Sequence, residues 1–577
     1  MTSPEPAAPS RPRAARRWIL PAAPDDVAVA ALADTLHLPV AVCRLLHARG
    51  YTEPAAAIQF LRPRFNQLHD PGLLRGLGVA AARIVQAIER GEVIFVHGDY
   101  DVDGMTSTAL LTRAFRALGG RVVPFVPRRL EDGYDLSEAG VRAAIAAGAG
   151  VVVTADCGTT AHAAVRSLSA AGIDVIISDH HLPSGPVPEC LAVLNPRQPD
   201  CTYPDKDLAA AGVVFKLALE VTRRMGGSEG SVFGLLDLVA LATVADVAPL
   251  RGENRVFVRY GLRLLAESAN PGLRAMVQAA GLAGKTITAG RAGFILAPRL
   301  NAVGRIGDAM RGVELLTTAS EADAGRIARD LEELNRQRQD LDRGILAHAR
   351  ELVGRLDLDA TYGIVLAEEG WHPGVIGIVA SRLVEEVARP VVMVALSGAE
   401  GRGSGRSISA FDLHAGLSEC RDVLLRYGGH RAAAGVTVAR ERVGEFASRF
   451  NAVARERLRP DDLVSEVRVD LEISIDDVTP ELEGFLRHFE PFGAGNPSPS
   501  LLARGVRLSS PPRALSHDGV KMRLGRAGGS LDAVAWGAAH RLPELDAGGP
   551  VDVVFRVERD EWQGEQRVQA KVTDFRV

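Results

Sequence analysis

Cysteine is scarce and unpatterned: Cys43, Cys157, Cys190, Cys201 and Cys420 are the only ones in 577 residues. None forms a C-x-x-C pair, which argues against a thiolate zinc site and fits a reducing cytoplasm. No stretch approaches the roughly 18 consecutive apolar residues that span a bilayer, so no membrane role is expected. Met1 to Arg17 is rich in Pro, Ala and Arg without a continuous apolar run, so it does not read as a secretory signal. Its first fifteen or so residues read as disordered. There is no internal repeat, and no His-x-x-x-His helix motif of a zinc hydrolase. A net charge of −4 offers no global attraction to a polyanion. Charge can still be local: between Lys285 and Arg311, the residues Lys285, Arg291, Arg299, Arg305 and Arg311 meet one acid, Asp308.

Three apolar runs lead straight into acids and histidines. Val93 to Val96 precedes His97-Gly98-Asp99-Tyr100-Asp101-Val102-Asp103-Gly104, Val151 to Ala155 precedes Asp156-Cys157-Gly158, and Val175 to Ser178 precedes Asp179-His180-His181. Continuous β-branched runs predict strands buried on both faces, as in a parallel sheet, where ligands gather at the carboxyl ends. So many acids in one crevice need a positive partner, and a pair of divalent cations supplies it. Carboxylates with imidazoles suit Mn²⁺ or Mg²⁺. A turn that merely caps the next helix is the plain alternative for the first run, with Asp103 or Thr106 as cap.

The chain is too long for one core. Residues 1–71 read as a tail and short helices, and 72–318 as an α/β unit whose strands and helices alternate as in a doubly wound parallel sheet. A long helix fills 319–355, opened by a capping box at Ser320 and about 50 Å long. A second α/β unit spans 356–461. From 462 to 577 the period changes to alternation, and about five strands suit a small oligonucleotide-binding (OB-like) β-barrel.

Taken in order, His97-x-Asp99-x-Asp101-x-Asp103-Gly104, Asp156 and Asp179-His180-His181 resemble the motifs of the DHH phosphoesterase superfamily. Within it, the chain resembles the RecJ family of single-strand-specific 5′→3′ exonucleases, from about Gly72 to Val577. That resemblance implies hydrolysis of single-stranded DNA to 5′-mononucleotides in repair and recombination, through two metal ions. Asp101 and Asp103 would bind different ions, Asp156 would bridge them, and His180 and Asp246 would complete the set. His97 and Asp99 stay open as ligands or supports. His181 would face the scissile phosphate as hydrogen-bond donor or general acid.

The resemblance also implies a DHH-associated domain, which the loops Gly403-Ser404-Gly405-Arg406-Ser407 and Gly428-Gly429-His430 match. Arg128 and the segment Arg299-Leu300-Asn301-Ala302-Val303-Gly304-Arg305 would grip the strand, through Asn301 and Arg305 beside Arg128. Ser404, Arg406 and His430 complete the expected substrate contacts. Trp371 to Gly374 opens a helix whose N-terminus suits an anion. In the barrel, Trp536, Phe555, Trp562 and Phe575 are the aromatics available for core or stacking. A cytoplasmic monomer working with single-strand binding protein and a helicase is expected. Two rival readings stand beside this one. One is a DHH phosphoesterase for short oligonucleotides or cyclic dinucleotides, which would not need the barrel. The other is a non-catalytic replication scaffold, which would not need an intact ligand set.

Overall fold

The computed structural model describes residues 16–516, 518–545, 548–562 and 565–577, with the side chains of 560–566 excepted. The expectation of a disordered start thus falls mostly outside the described residues, as does the side chain of Trp562. The described residues divide into two compact units: one of residues 59–339 with 489–497, the other of residues 16–58 with those described in 340–488 and 498–577.

The first unit is built on five parallel strands: β1 (Val93–Gly98), β2 (Arg121–Phe125), β3 (Ala149–Ala155), β4 (Asp174–Ser178) and β5 (Ala192–Leu194). Their spatial order is β2-β1-β3-β4-β5. The order reverses between β1 and β3, which opens a crevice at their carboxyl ends. Successive side chains point to opposite faces. Ile94 and Val96 accordingly pack with the helices α1 (Leu77–Arg90) and α2 (Val102–Ala117). Phe95, Val152 and Val175 pack with α3 (Glu138–Ala146) and α4 (His162–Ala170) on the other side. The doubly wound sheet is therefore as expected, and the inner strands β1, β3 and β4 are buried because both faces are covered, while the edge strand β2 is only partly so.

Helices follow: α5 (Ala210–Arg224), α6 (Leu236–Ala245), α7 (Gly252–Ala266) and α8 (Pro271–Ala279). A π-turn at Ala292–Leu296 then leads into α9 (Ala297–Ile306). After α10 (Met310–Thr317), α11 runs unbroken over Glu321–Gly354 and passes from the first unit into the second.

In the second unit β6 (Ile364–Glu369), α12 (Ile376–Val387) and β7 (Val391–Ser397) appear where the apolar runs place them. The two glycine-rich stretches do not form loops. Glu400–Arg406 is a strand, β8, and Arg426–Gly429 is another, β9; with β10 (Ala433–Ala439) they complete a sheet of order β9-β10-β8-β7-β6. The glycines serve close packing: a Cβ at Gly403 would lie 2.5 Å from Val436 Cγ2, and one at Gly405 2.9 Å from Leu413 Cδ2.

The C-terminal sheet has seven strands rather than five. β11 (Leu471–Glu472), β12 (Leu501–Val506), β13 (Leu508–Leu515), β14 (Gly519–Arg526), β15 (Gly529–Trp536), β16 (Val551–Trp562) and β17 (Glu565–Arg576) pair in the order β11-β12-β16-β17-β15-β14-β13. The run Val467 to Ile473 is not one strand. Glu466–Arg468 pairs in parallel with Arg17–Ile19, and the chain then shifts to β11. Among the described residues, no single helix is long and apolar enough to cross a membrane.

Candidate metal centre and nucleic-acid interface

The carboxyl ends of β1, β3 and β4 deliver three acid groups to one place. After β1 the chain turns sharply into α2, and Gly98 and Gly104 make the turn possible. A Cβ at Gly98 would lie 2.0 Å from Thr108 Oγ1, and one at Gly104 2.4 Å from the Asp99 carbonyl oxygen. Asp101 is the N-cap of α2, accepting a hydrogen bond from Gly104 N at 3.1 Å. The expected cap was Asp103 or Thr106. Asp103 instead points into the core, where its carboxylate accepts from Ala210 N and Ala211 N, both at 2.8 Å, at the start of α5. Asp156 follows β3 with φ 73°, a left-handed backbone uncommon for a residue other than glycine. Asp246 is the C-cap of α6.

Three sets of potential ligand atoms result, each within 4.8 Å of one another: Asp99, Asp101 and Asp156; Asp156, His180 and His181; and Asp103, His180 and Asp246. Asp156 and His180 each belong to two sets. His180 Nε2 lies 3.2 Å from Asp156 Oδ1 and 4.0 Å from Asp103 Oδ2, while its Nδ1 is 3.8 Å from Asp246 Oδ2. Asp99 Oδ1, Asp156 Oδ1 and His180 Nε2 are buried without a hydrogen-bond partner. Buried orphans of this kind are rare in folded proteins. Burial and the neighbouring carboxylates, Asp101 first, push Asp103 up to about 7. Burial and then Asp103 push Asp246 up to about 8. Asp99 and Asp156 are raised well above the ordinary range by burial and the surrounding acids. A cation among them would satisfy the orphans and restore the charged forms, so the residues present fit a metal pair.

His97 stands apart from all three sets. It is buried on β1, with Nδ1 3.7 Å from Cys157 Sγ and its ring 5.2 Å from that of Phe125. Gly140 of α3 makes room for it, since a Cβ there would lie 2.3 Å from His97 Cδ2. Burial lowers its pKa to about 4. His97 thus packs beneath the loop that carries the acids.

Asp179, the first residue of the Asp-His-His triplet, is the supporting residue that the ligand assignment leaves out. Its Oδ1 accepts from the backbone of His180 at 2.7 Å and of His181 at 3.1 Å and lies 2.7 Å from His181 Nδ1; Oδ2 accepts from Thr159 N at 3.0 Å. Burial opposes ionisation of both side chains, but the hydrogen bond and mutual attraction prevail. Asp179 falls to about 2 and His181 rises to about 9. Asn195 adds a second anchor by donating to the His181 carbonyl at 2.8 Å. Tyr134, also absent from the sequence reading, places its hydroxyl 3.5 Å from His181 Nδ1. It sits in a Gly/Asp-rich loop, where no periodicity signals a role.

The basic segment is less free than its composition implies. Arg299 pairs with Glu332 at 2.6 Å, and Arg311 with Glu314 and Asp330, both at 2.7 Å. Arg128 pairs with Glu131 at 2.9 Å and is 4.0 Å from Asp308. Asn301 and Arg305, four apart, share a face of α9. Gly304 lets that helix approach the acidic loop: a Cβ there would lie 1.9 Å from the Tyr100 carbonyl oxygen. In the second unit Arg406 Nη1 donates to Ser404 Oγ at 3.0 Å. Both sit on β8 over the start of α12, where a Cβ at Gly377 would lie 2.8 Å from Ser404 Oγ. A hydroxyl, a guanidinium and a helix N-terminus thus share one spot. His430 is exposed in the turn between β9 and β10.

Family models match three segments: the DHH family N-terminal domain at residues 93–243, the DHHA1 domain at 360–456 and the RecJ OB domain at 469–574. The single-stranded-DNA-specific exonuclease RecJ of Bacillus subtilis is 35% identical over 557 residues, 96% of this chain and 70% of that protein. The chain belongs to the RecJ family. RecJ of Escherichia coli is 35% identical over 86% of this chain and 89% of its own length. The crystal structure of Thermus thermophilus RecJ in complex with Mn²⁺ superposes with a TM-score of 0.84 at 33% identity, covering 97% of this chain and 79% of that one. The Mg²⁺ complex of the same RecJ gives 0.78 at 31% identity, over 97% and 78%. The RecJ OB model covers the seven-stranded sheet, so the OB-like expectation and the family agree.

Proposed function

We propose that this chain is a metal-dependent exonuclease that removes 5′-mononucleotides from the 5′ end of single-stranded DNA, in repair and recombination. The observation that carries the reading is the sharing of Asp156 and His180 between neighbouring ligand sets, which suits two adjacent ions. Asp101, Asp103, Asp156, His180 and Asp246 would hold Mn²⁺ or Mg²⁺, the ions bound in the Thermus structures, with Asp99 completing the first set. When bound, the pair supplies a nucleophilic water and neutralises the phosphate oxygens.

The chain's own side chains account for the rest. Water adds to phosphorus and the bond to the 3′ oxygen breaks, so that oxygen needs a proton. Asp179 engages Nδ1 of His181, leaving Nε2 to donate to the phosphate or the leaving oxygen. Asp103 stays fixed by two backbone donors of α5 while the site fills and empties. Arg128, Asn301 and Arg305 would hold the strand. Ser404 and Arg406, with the N-terminus of α12, would take the terminal 5′-phosphate, since a guanidinium fork suits that group; His430 would add a contact. The OB domain binds the single strand. A cytoplasmic monomer assisted by single-strand binding protein and a helicase belongs to the same proposal.

The intact ligand set speaks against a scaffold, and the OB domain speaks for a polymer over a cyclic dinucleotide. Incubating the protein and Mn²⁺ with 5′- and 3′-labelled single strands, duplex and cyclic dinucleotide tests the reading. Label should leave the 5′-labelled single strand first. Faster turnover of cyclic dinucleotide than of single strands would contradict it.

A further inference from the structure

Large exposed apolar side chains occur in the first unit beside segments of the metal centre. Its three most exposed large apolar residues are Phe294 at 86%, Val247 at 69% and Leu182 at 65%. Leu182 directly follows His181. Val247 directly follows Asp246 and has φ 61°, a left-handed backbone that a β-branched residue adopts only under strain. Phe294 stands on the π-turn Ala292–Leu296, whose Gly293 packs on α6 so closely that a Cβ there would lie 3.1 Å from Val244 Cγ1. Val244 is two residues from Asp246. The π-turn sets an extra residue into the helix, and here it holds Phe294 in solvent while Ala292 and Leu296 on either side are buried.

One exposed apolar residue is ordinary, but two of these directly follow residues of the ligand sets and the third stands on a turn packed against the helix that ends at Asp246. The π-turn that carries Phe294 leads directly into α9, which carries Asn301 and Arg305, the residues proposed to hold the strand. We infer that Phe294, with Leu182 and Val247, is a base-contacting rim that stacks on unpaired nucleobases next to the scissile phosphate. An aromatic face accepts any base, so the rim would confer preference for single strands without sequence preference. Bases paired within a duplex keep their faces stacked on their neighbours and would not be available to it.

This inference rests on the proposed nuclease function, and its test separates the two. The substrates are a 5′-phosphorylated single strand and the same strand with abasic residues at its first four positions. The wild type should show a KM about tenfold or more lower for the normal strand, the usual scale of base stacking. Phe294→Ala should lose that preference and Phe294→Trp should keep it. Leu182→Ser and Val247→Ser should each reduce it. If the wild type shows no preference, or if the preference survives Phe294→Ala, the rim is overturned while the nuclease stands. If the wild type cleaves neither strand, the nuclease reading fails and the rim with it.

Discussion

Asp179 Oδ1 lies 2.7 Å from His181 Nδ1, and the same oxygen also accepts the backbone N–H groups of His180 and His181. One buried carboxylate therefore sets the direction of both histidines of its own triplet. The three-residue motif owes its compactness to this: the acid at the end of β4 is an anchor, and the two rings diverge from it. Ring centroids of His180 and His181 are 4.5 Å apart at 61°.

Removing the anchor should disorganise His181 without emptying the metal site. Asp179→Asn is expected to lower kcat by about 10–100-fold, the usual range for a residue that supports a ligand or catalytic histidine. Titrating activity with Mn²⁺ checks this. The half-saturating Mn²⁺ concentration should shift less than kcat does, and a shift in the metal requirement alone would make Asp179 a ligand instead.

The metal-free protein should lose stability as pH rises from 6.5 to 9. Asp103 and Asp246, raised to about 7 and 8, and His181, raised to about 9, bind more protons folded than unfolded in that window. The folded state therefore gives up stability as they titrate. His97 and His180, lowered to about 4, act in the opposite sense, but only below their unfolded pKa of about 6.5. Thermal melts in chelator should fall across the window, Mg²⁺ should restore more at high pH than at low, and Asp246→Asn should flatten the slope. A melt that rises with pH in chelator would contradict the crowding of acids.

Lys216 and Glu253 form a buried ion pair outside the three ligand sets. Nζ and Oε1 are 2.5 Å apart, with further bonds from Nζ to the His69 carbonyl at 2.7 Å and from Tyr203 Oη to Glu253 at 2.5 Å. Lys216→Met leaves Glu253 without its cation and should cost about 3–5 kcal/mol. The double variant Lys216→Met, Glu253→Gln should recover part of the loss, because no unpaired charge remains. Urea midpoints of wild type, single and double variants decide it.

Arg406→Ala should raise KM mainly for 5′-phosphorylated strands and narrow their advantage over 5′-hydroxyl strands. Lysine should rescue only partly, since it lacks the planar fork. The comparison is wild type and variant against both end chemistries at fixed salt. Equal losses on both ends would move the end-sensing role to Arg128 or Arg305.

The parallel sheet and its acids were legible because buried β-branched runs and the residues just after them share one physical cause, a sheet covered on both faces. The glycine-rich strands β8 and β9 were not. Gly401, Gly403 and Gly405 look like turn residues in sequence, and only the neighbours Val394, Val436 and Leu413 show that they are small for packing. The charge of Arg299 and Arg311 was overcounted for a similar reason: their partners Glu332 and Asp330 lie on α11, well downstream in the chain. His97, spaced like a ligand along β1, faces Gly140 instead, a contact that alternation alone does not reveal. The cap of α2 is Asp101 rather than Asp103 or Thr106, because the chain enters the helix two residues earlier than the plain reading placed it.

The role proposed for Asp156 is to join two cation sites in a single-strand exonuclease. Its most direct test is the release of label from a 5′-labelled single strand in Mn²⁺ by wild type and Asp156→Ala, with circular dichroism confirming the fold of each. The wild type should release labelled mononucleotide steadily, and the variant should lose more than the factor of about 10²–10³ that one electrostatic donor contributes. Near-wild-type release by a folded Asp156→Ala protein would contradict it.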